Sequence, residues 1–596
     1  MAASSSESQA YAGTLLVEST LESYKQAIAE FIVSQGTGLN AEGVVKILKP
    51  SSAKDNELTL PIPALSAMAK QQGSPQHLAA QWAQSWSAEA TKGLITGVTS
   101  TGVFMMFGLD TKVLIEKVLL GVFMDKSNYG RTNEGQGQSV VVEYSSPNMA
   151  KPFHAGHLRS TIIGNFIRNL YDVLGYKTTA INYLGDWGKQ YGLLAVGFSR
   201  HGDEAKLKED PIRHLYDVYV KINADRSADT SIDEEARSYF ARMEAGDEAA
   251  LKLWQHFRDL SIEKSKQLYA RMNINFDVYS GESFYPVSKQ EKVIKRLEEM
   301  NLLTDEQTET GVVRVIDLSK YKLGRVVFQK PDGSLLYISR DIAAALDRAE
   351  TYNFSKMVYV VASQQDLHFK QLFKILELMG FSQVKDCVHV NFGLVRGMSS
   401  RKGTAEFLED ILDTTRDTNL ELMRKNDKKF SEIQEPVSTA DTVGISAVVI
   451  QDLIAKRIKD YDFSYDRMLQ SQGDTGAYLQ FAHVRIASIM RKANVPVEYD
   501  GVDLSLLSEP ECSSLVAHIA NYSYILHRAE QELEPSTVVQ YSLKLTHAMS
   551  SMIKNFHVKH APTPEIAKAR MLMFWAAKQT LENALRLLSL VPLERM

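Results

Sequence analysis

The chain has 596 residues, is 44% hydrophobic and carries a net charge of -5; it is too long for one core and apolar enough to bury several, so three or four domains are expected. Cys387 and Cys512 are its only cysteines, which excludes a disulfide framework or a CxxC zinc pattern and points to a reducing compartment. No apolar run approaches the roughly 20 residues of a membrane span, and the acidic balance argues against a nucleic-acid partner held by overall positive charge.

In chain order, no arginine occurs before Arg131, whereas a mitochondrial transit peptide is rich in arginine and poor in acids; a cytoplasmic protein is expected. Residues 1–125 read as a mixed α/β module. There "ESYKQAIAEFIVSQG" has a helical period closed by Gly36, while "VVKILK" and "ELTLPIP" read as strands. Residues 126–140 are polar and Gly-rich, a linker. Next come the β-branched strand "VVVEY", the helix "LRSTIIGNFIRNLYDVLG" closed by Gly175, and the strand and turn "KTTAINYLGDWG", which together make a βαβ unit. A charged helical insertion spans about 203–265, after which "GVVRVIDL", "RVVFQK", "KMVYVVAS" and "CVHVNFGLV" are expected to resume the sheet. From about residue 411 almost everything reads as helix. From Thr475 onward there are 12 Lys+Arg against 11 Asp+Glu, so any RNA affinity there must come from a local stripe and from stacking.

The chemistry gathers at the seam of the βαβ unit, "SSPNMAKPFHAGHLRSTIIG". Ligands bind at the carboxyl ends of parallel strands, where helix N-termini offer free N–H groups to phosphates. His154 and His157 sit at that seam and can both donate to a polyphosphate whose charge grows in the transition state. Gly156 between them leaves room for a flat purine against the backbone. The plainer readings are a zinc pair or capping histidines; no carboxylate or cysteine cluster at ligand spacing lies nearby to support zinc. No Walker GxxxxGK[ST] exists, and "GQGQS" lies in the linker without GxGxxG geometry.

"HAGH" resembles the HIGH signature of class I aminoacyl-tRNA synthetases. Together with "NYLGDWGKQYG", "VYSGES", "LYISRD", "VASQQDLHF", "GMSSRKGT", "GDTGAYLQFAHVR" and "LSLVPLERM", it closely resembles the arginyl-tRNA synthetases, of the eukaryotic, fungal-like cytoplasmic type, from about residue 140 to the end. The resemblance implies an α/β multidomain fold: an N-terminal module over 1–125 that approaches the tRNA D-loop, a Rossmann-type parallel-sheet catalytic domain over 141–412, a helical connector over 413–473 near the tRNA stem, and an all-α anticodon-binding domain over 474–596. It implies an arginine–tRNA ligase that activates L-arginine with ATP, accompanied by Mg2+, to arginyl-adenylate and passes it to the 3′-terminal adenosine of tRNA(Arg). A monomer is expected, with activation dependent on tRNA.

By the same resemblance, "GMSSRKGT" is the second phosphate element, a glycine-bounded loop of hydroxyls and cations that can close over a triphosphate. Gly397 stands where the family's KMSKS signature has its first lysine. Lys151, just before HAGH, stands where related enzymes place a compensating lysine, and Arg401 and Lys402 share the loop charge. ATP contacts then fall on His154, Gly156, His157, Met398, Ser399, Ser400 and Lys402. Recognition of a guanidinium needs carboxylates that pair with it; Glu282 and Asp341 are the candidates. Tyr337, four residues before Asp341, shares its helical face and can stack on the guanidinium. Asp341 could equally cap the helix "AAALDRAE". Asn148 and Gln365 hold the substrate's α-amino and carboxylate groups, with Ser146 beside them. Asp186 and Trp187 either shape the pocket as a buried turn or touch the substrate directly.

For tRNA, Tyr478 and Phe481 on one helical face with His483 and Arg485 nearby suit unstacked bases, although aromatics at this spacing also build cores. Phe556 and His557 form a second stacking candidate, and Arg595 and Met596 fall near the anticodon loop. Asp110 is an acid in the N-terminal module where RNA would favour a neutral or basic group. The rival functions are a catalytically inactive tRNA-binding paralogue and a class I synthetase for another cationic amino acid.

Overall fold

The structure, a computed structural model, describes residues 20–51, 54–69, 73–148, 153, 155–396, 407–425, 430–468, 470 and 473–596. The N-terminal part runs α1 (Thr20–Ser34), α2 (Ala41–Ile47), β1 (Lys49–Pro50), β2 (Glu57–Pro61), α3 (Ile62–Ala69), α4 (Pro75–Gln84), β3 (Ile95–Thr101), β4 (Phe104–Leu109) and α5 (Thr111–Asp125). Its strands form an antiparallel sheet in the order β1-β2-β4-β3. The expected strand "VVKILK" is instead mostly the helix α2: the Asn40 side chain caps it by accepting the Gly43 N–H at 2.9 Å, and the cap outweighs β-branching. Apolar "TGVFMMFGLDTKVL" is core. Met105, Phe107 and Leu109 alternate into the buried face of β4, and Leu114, Ile115 and Val118 bury one side of α5. Asp110 caps α5, accepting the N–H groups of Lys112 and Val113.

The central part runs β5 (Ser139–Glu143), α6 (Ala155–Val173), β6 (Lys177–Leu184), then α7 (Lys189–His201), α8 (Glu204–Glu209), α9 (Pro211–Ala228), α10 (Ser231–Glu244) and α11 (Glu248–Arg271). It continues with β7 (Val278–Gly281), α12 (Val287–Glu299), β8 (Thr304–Thr308), β9 (Gly311–Asp317), β10 (Arg325–Gln329), α13 (Tyr337–Tyr352), β11 (Lys356–Val360), α14 (Asp366–Leu378) and β12 (Cys387–Val390). One five-stranded sheet, parallel throughout, has the order β12-β11-β5-β6-β7. Its central strand β5 is buried along nearly its whole length, as strands covered on both faces are. "KMVYVVAS" and "CVHVNFGLV" supply β11 and β12. In contrast, "GVVRVIDL" and "RVVFQK" do not rejoin this sheet. They form an antiparallel one, β10-β9-β8, because the links between these strands are shorter than the dozen or so residues a parallel crossover needs.

The remainder runs β13 (Val395–Arg396), α15 (Leu408–Arg424), α16 (Pro436–Leu453), β14 (Tyr461–Asp462), α17 (Tyr465–Met468), α18 (Gly476–Ala493), α19 (Pro510–Ala520), α20 (Tyr522–Glu532), α21 (Pro535–Asn555) and α22 (Pro564–Leu587). Both α21 and α22 start with proline at the first helical position behind a capping side chain, Glu534 and Thr563. α22 is the hub: Leu572, Phe574, Ala577, Leu581 and Leu585 are fully buried around it. No described helix is long and apolar enough to cross a membrane.

Strand β5 is flanked by β6 on one side and β11 on the other, so the order of the sheet reverses beside β5. The carboxyl ends of β5 and β11 therefore bound the crevice where doubly wound sheets take their ligands.

Candidate functional site

The chain leaves β5 under strain. Ser145 (φ 71°) and Ser146 (φ 46°) are consecutive left-handed residues, a conformation that persists only where the surroundings dictate it. Here they do. The Ser145 N–H donates to Ser160 Oγ at 3.0 Å, and the Ser160 hydroxyl donates to the Val360 carbonyl at the end of β11. Ser145 Oγ lies 2.7 Å from the Tyr269 hydroxyl, and the Ser146 N–H donates to Asn182 Oδ1. The turn carries Asn148 to a parallel bridge with Gly185, the residue after β6. Helix α6 can lie against this turn because Gly164 faces Tyr144; a Cβ there would stand 2.2 Å from the tyrosine's Cβ.

Gly156 and His157 open α6, partly exposed at the crevice, with the His157 ring 5.4 Å from that of Phe153. Lys151, His154, Met398, Ser399, Ser400, Arg401 and Lys402 lie outside the described residues. The flanks of the 397–406 stretch are nevertheless tied to this seam. On one side the fully buried Arg159 of α6 donates to the Gly393 and Lys459 carbonyls at 2.7 and 2.8 Å, just before β13. On the other side the Leu408 N–H donates to the Phe153 carbonyl at 3.0 Å. The sequence reading missed Arg159, whose position two residues after the second histidine was its only signal.

Beyond the ends of β6 and β7, Asp186 is fully buried and accepts from the Ser283 N–H and hydroxyl and from Arg258 Nε, at 2.8 to 2.9 Å. Gly281 is required here, since a Cβ would meet the Asp186 carboxylate at 2.3 Å. Trp187 packs edge-on against Trp254 and Phe240. Of the two readings for this pair, the buried turn fits. It delivers Glu282, which is mostly buried and whose carboxyl is pushed up to about 7 by burial; the Arg340 guanidinium opposes that rise, and Asp341 and Asp186 add to it. Asp341 sits inside α13, whose cap position is Leu336, so it is not a capping residue. Its Oδ2 lies 2.7 Å from His368 Nε2. Tyr337 begins the same helix and is 63% exposed; Gln365 is exposed just after β11.

Among the described residues, the buried Ser146 Oγ and Tyr183 OH of this region have no hydrogen-bond partner. The Tyr183 hydroxyl is raised far above its ordinary range by burial, with Asp341 and Glu282 both contributing. Tyr183 was not nominated from sequence; as the penultimate residue of β6 it looked like an ordinary strand position. Buried polar groups are almost always paired, so these two atoms are suited to a polar ligand.

On the helical part, the nominated residues separate. Phe481 is 41% exposed with the Arg485 guanidinium 5.6 Å from its ring. Tyr478 leans on His547 and reaches Ser550 through its hydroxyl. His483 is fully buried and its Nδ1 lies 2.7 Å from the Leu593 carbonyl; in this fold it anchors the chain terminus and does not face a base. Gln480 holds the same segment through Val591 and Leu593, and Arg491 holds the Glu594 carbonyl, which leaves Met596 partly exposed at the edge of α18. Phe556 is half-buried beneath Arg570, and His557 is exposed.

Among the described residues, one group of His and carboxylate side chains has metal-ligand spacing: His483, Glu582 and Glu594. It lies between α18, α22 and the terminus, and Lys578 already pairs with both carboxylates. No such group occurs among the described residues of the crevice.

The family described as "tRNA synthetases class I (R), catalytic domain" matches residues 119–465, and the "DALR anticodon binding domain" matches residues 479–596. The chain is 47% identical to a probable cytoplasmic arginine–tRNA ligase of Dictyostelium discoideum, over 94% of this chain and 98% of the relative. It is 47% identical to the cytoplasmic arginine–tRNA ligase of Saccharomyces cerevisiae over 91% and 89% of the two chains, and 44% identical to the mitochondrial one over 94% and 87%. The fold is similar to that of the Thermus thermophilus arginyl-tRNA synthetase, with a TM-score of 0.79 at 20% identity, covering 96% of this chain and 99% of that one. The strained turn after β5, the histidine helix and the paired carboxylates thus stand in a chain that belongs to the arginyl-tRNA synthetase family of class I aminoacyl-tRNA synthetases.

Proposed function

We propose that the chain activates L-arginine with ATP and transfers the arginyl group to the terminal adenosine of tRNA(Arg), in the cytoplasm and as a monomer. The observation that carries the substrate is the meeting of Glu282 and Asp341 around the unpartnered Tyr183 hydroxyl. Two carboxylates and a buried hydroxyl suit a planar, doubly hydrogen-bonding cation. Tyr337, exposed on the same helix, stacks on that cation from the solvent side. Asn148, Gln365 and Ser146 hold the α-amino and carboxylate groups at the β5–β11 switch point.

The reaction needs no covalent enzyme intermediate. The arginine carboxylate attacks the α-phosphate of ATP, forming arginyl-adenylate and releasing pyrophosphate; the adenylate is then attacked by a ribose hydroxyl of the terminal adenosine, releasing AMP. Catalysis rests on positioning and on charge stabilisation. His154 and His157 donate to the phosphates, Gly156 admits the purine, Lys151 with Arg401 or Lys402 neutralises the leaving pyrophosphate, and Met398, Ser399 and Ser400 contact the ATP. Magnesium supplies further phosphate neutralisation when the nucleotide brings it. We assign residues 141–412 to this chemistry and residues 474–596 to the anticodon loop, with Phe481, Arg485, Phe556 and His557 as the accessible contacts. Arginine-dependent exchange of pyrophosphate into ATP by the purified chain tests the assignment.

A further inference from the structure

Arg340 precedes Asp341 on the first turn of α13, and its Nη1 donates to Glu282 Oε2 at 3.1 Å, with both side chains 17% exposed. Arg340 reaches Glu282 through Oε2 and not through Oε1, and among the described residues Arg340 Nε is buried without a hydrogen-bond partner. Resting on the reading that Glu282 meets the substrate guanidinium, we propose that Arg340 is a positioning residue: it grips Glu282 by one carboxylate oxygen and presents the other, charged, to the incoming arginine.

The charges around Glu282 support this. From α13 come Arg340 and Asp341; from the turn after β6 comes Asp186, which Arg258 of α11 already pairs at 2.8 Å; from α14 comes His368 on Asp341; from β6 comes the Tyr183 hydroxyl. Glu244, at the end of α10, faces Arg340 and is raised by its own burial, an effect that Arg340 opposes. With Asp186 paired by Arg258, the carboxyls of Glu282, Asp341 and Glu244 are set against the single guanidinium of Arg340, so the pocket is short of positive charge. A bound arginine supplies a cation there. Without Arg340, Glu282 would face the partly exposed Asp341 with no cation beside it, and burial and that neighbouring carboxylate would raise its carboxyl further. A protonated carboxyl cannot form the charge-assisted pair that the substrate needs.

The test is equilibrium dialysis of labelled arginine against the full chain with tRNA present, from pH 5.5 to 9, for wild type, E282Q, R340Q and R340K. Wild-type affinity should fall as the pH drops through about 7, where Glu282 takes up its proton. In R340Q the midpoint should move up by about one unit, giving a loss of about fivefold at pH 7 that grows toward about tenfold at pH 5.5 and nearly vanishes by pH 9. R340K, which retains the charge, should bring the midpoint back toward wild type. A loss of equal size at every pH would mean a merely structural arginine, and no loss would mean that Glu282 needs no help; either overturns the inference. E282Q separates this inference from the reading beneath it. If E282Q loses affinity and R340Q does not, only the role of Arg340 falls, whereas an E282Q with wild-type affinity removes both.

Discussion

At the carboxyl edge of the parallel sheet, Ser146, Tyr183, Glu282 and Asp341 arrive from four separate stretches of chain, and among the described residues the Ser146 and Tyr183 hydroxyls are left without hydrogen-bond partners. On α18, by contrast, Tyr478, Phe481, His483 and Arg485 lie within two turns of one helix yet divide between core and solvent. Convergence from distant elements on unpartnered polar groups marks a site built for a ligand. Proximity along one helix does not, because 3.6 residues per turn sends near neighbours to different faces.

The largest expected effect is at the seam. His157→Ala should slow adenylate formation by ~10² or more while arginine binding stays near normal, the signature of a lost transition-state donor; single-turnover pyrophosphate release measures it. A comparable loss of arginine affinity would make the histidine structural. Next, Glu282→Gln should weaken arginine binding by roughly 10- to 100-fold, the range of a hydrogen bond to a charged group, and unchanged binding would refute the pocket. Third, His483→Ala should cost about 1–3 kcal/mol in urea unfolding by leaving the buried Leu593 carbonyl unpaired. An unchanged stability with weakened tRNA binding would return His483 to the nucleic-acid face and erase the contrast drawn above. Smallest, Phe481→Ala should weaken tRNA binding by about 1 kcal/mol through lost stacking, read by filter binding, with arginine activation unchanged at saturating tRNA.

Much of this was legible in the sequence wherever a motif coincided with a strand end. "VVVEY" and "HAGH" marked the seam, because hydrophobic runs and turn residues fix where a parallel sheet opens, whereas Gln365 was reached only through the family resemblance of "VASQQDLHF". Glu282 and Asp341 were reachable through the family resemblance, and their charge through the chemistry of a guanidinium. Tyr183 was not legible: its ring reads as one more strand residue, and only the fold shows that its hydroxyl ends among carboxylates. Arg159 was hidden for a related reason, since its partners, two backbone carbonyls and the buried Asp452 carboxylate, lie more than two hundred residues away. "VVKILK" misled because its β-branched residues alone were read and the capping Asn40 before them was not weighed, and "GVVRVIDL" misled because strand character carries no information about which sheet a strand joins. His483 misled because a helical histidine beside aromatics has the same sequence whether it meets a base or holds a carbonyl.

The most direct test of the central claim is ATP–pyrophosphate exchange by the purified chain with arginine, with and without tRNA, and with lysine as the control. Exchange that requires arginine, appears when tRNA is present and is absent with lysine is the predicted result. No exchange under any of these conditions, from a chain that still binds tRNA, would contradict the account and leave a tRNA-binding protein without the chemistry.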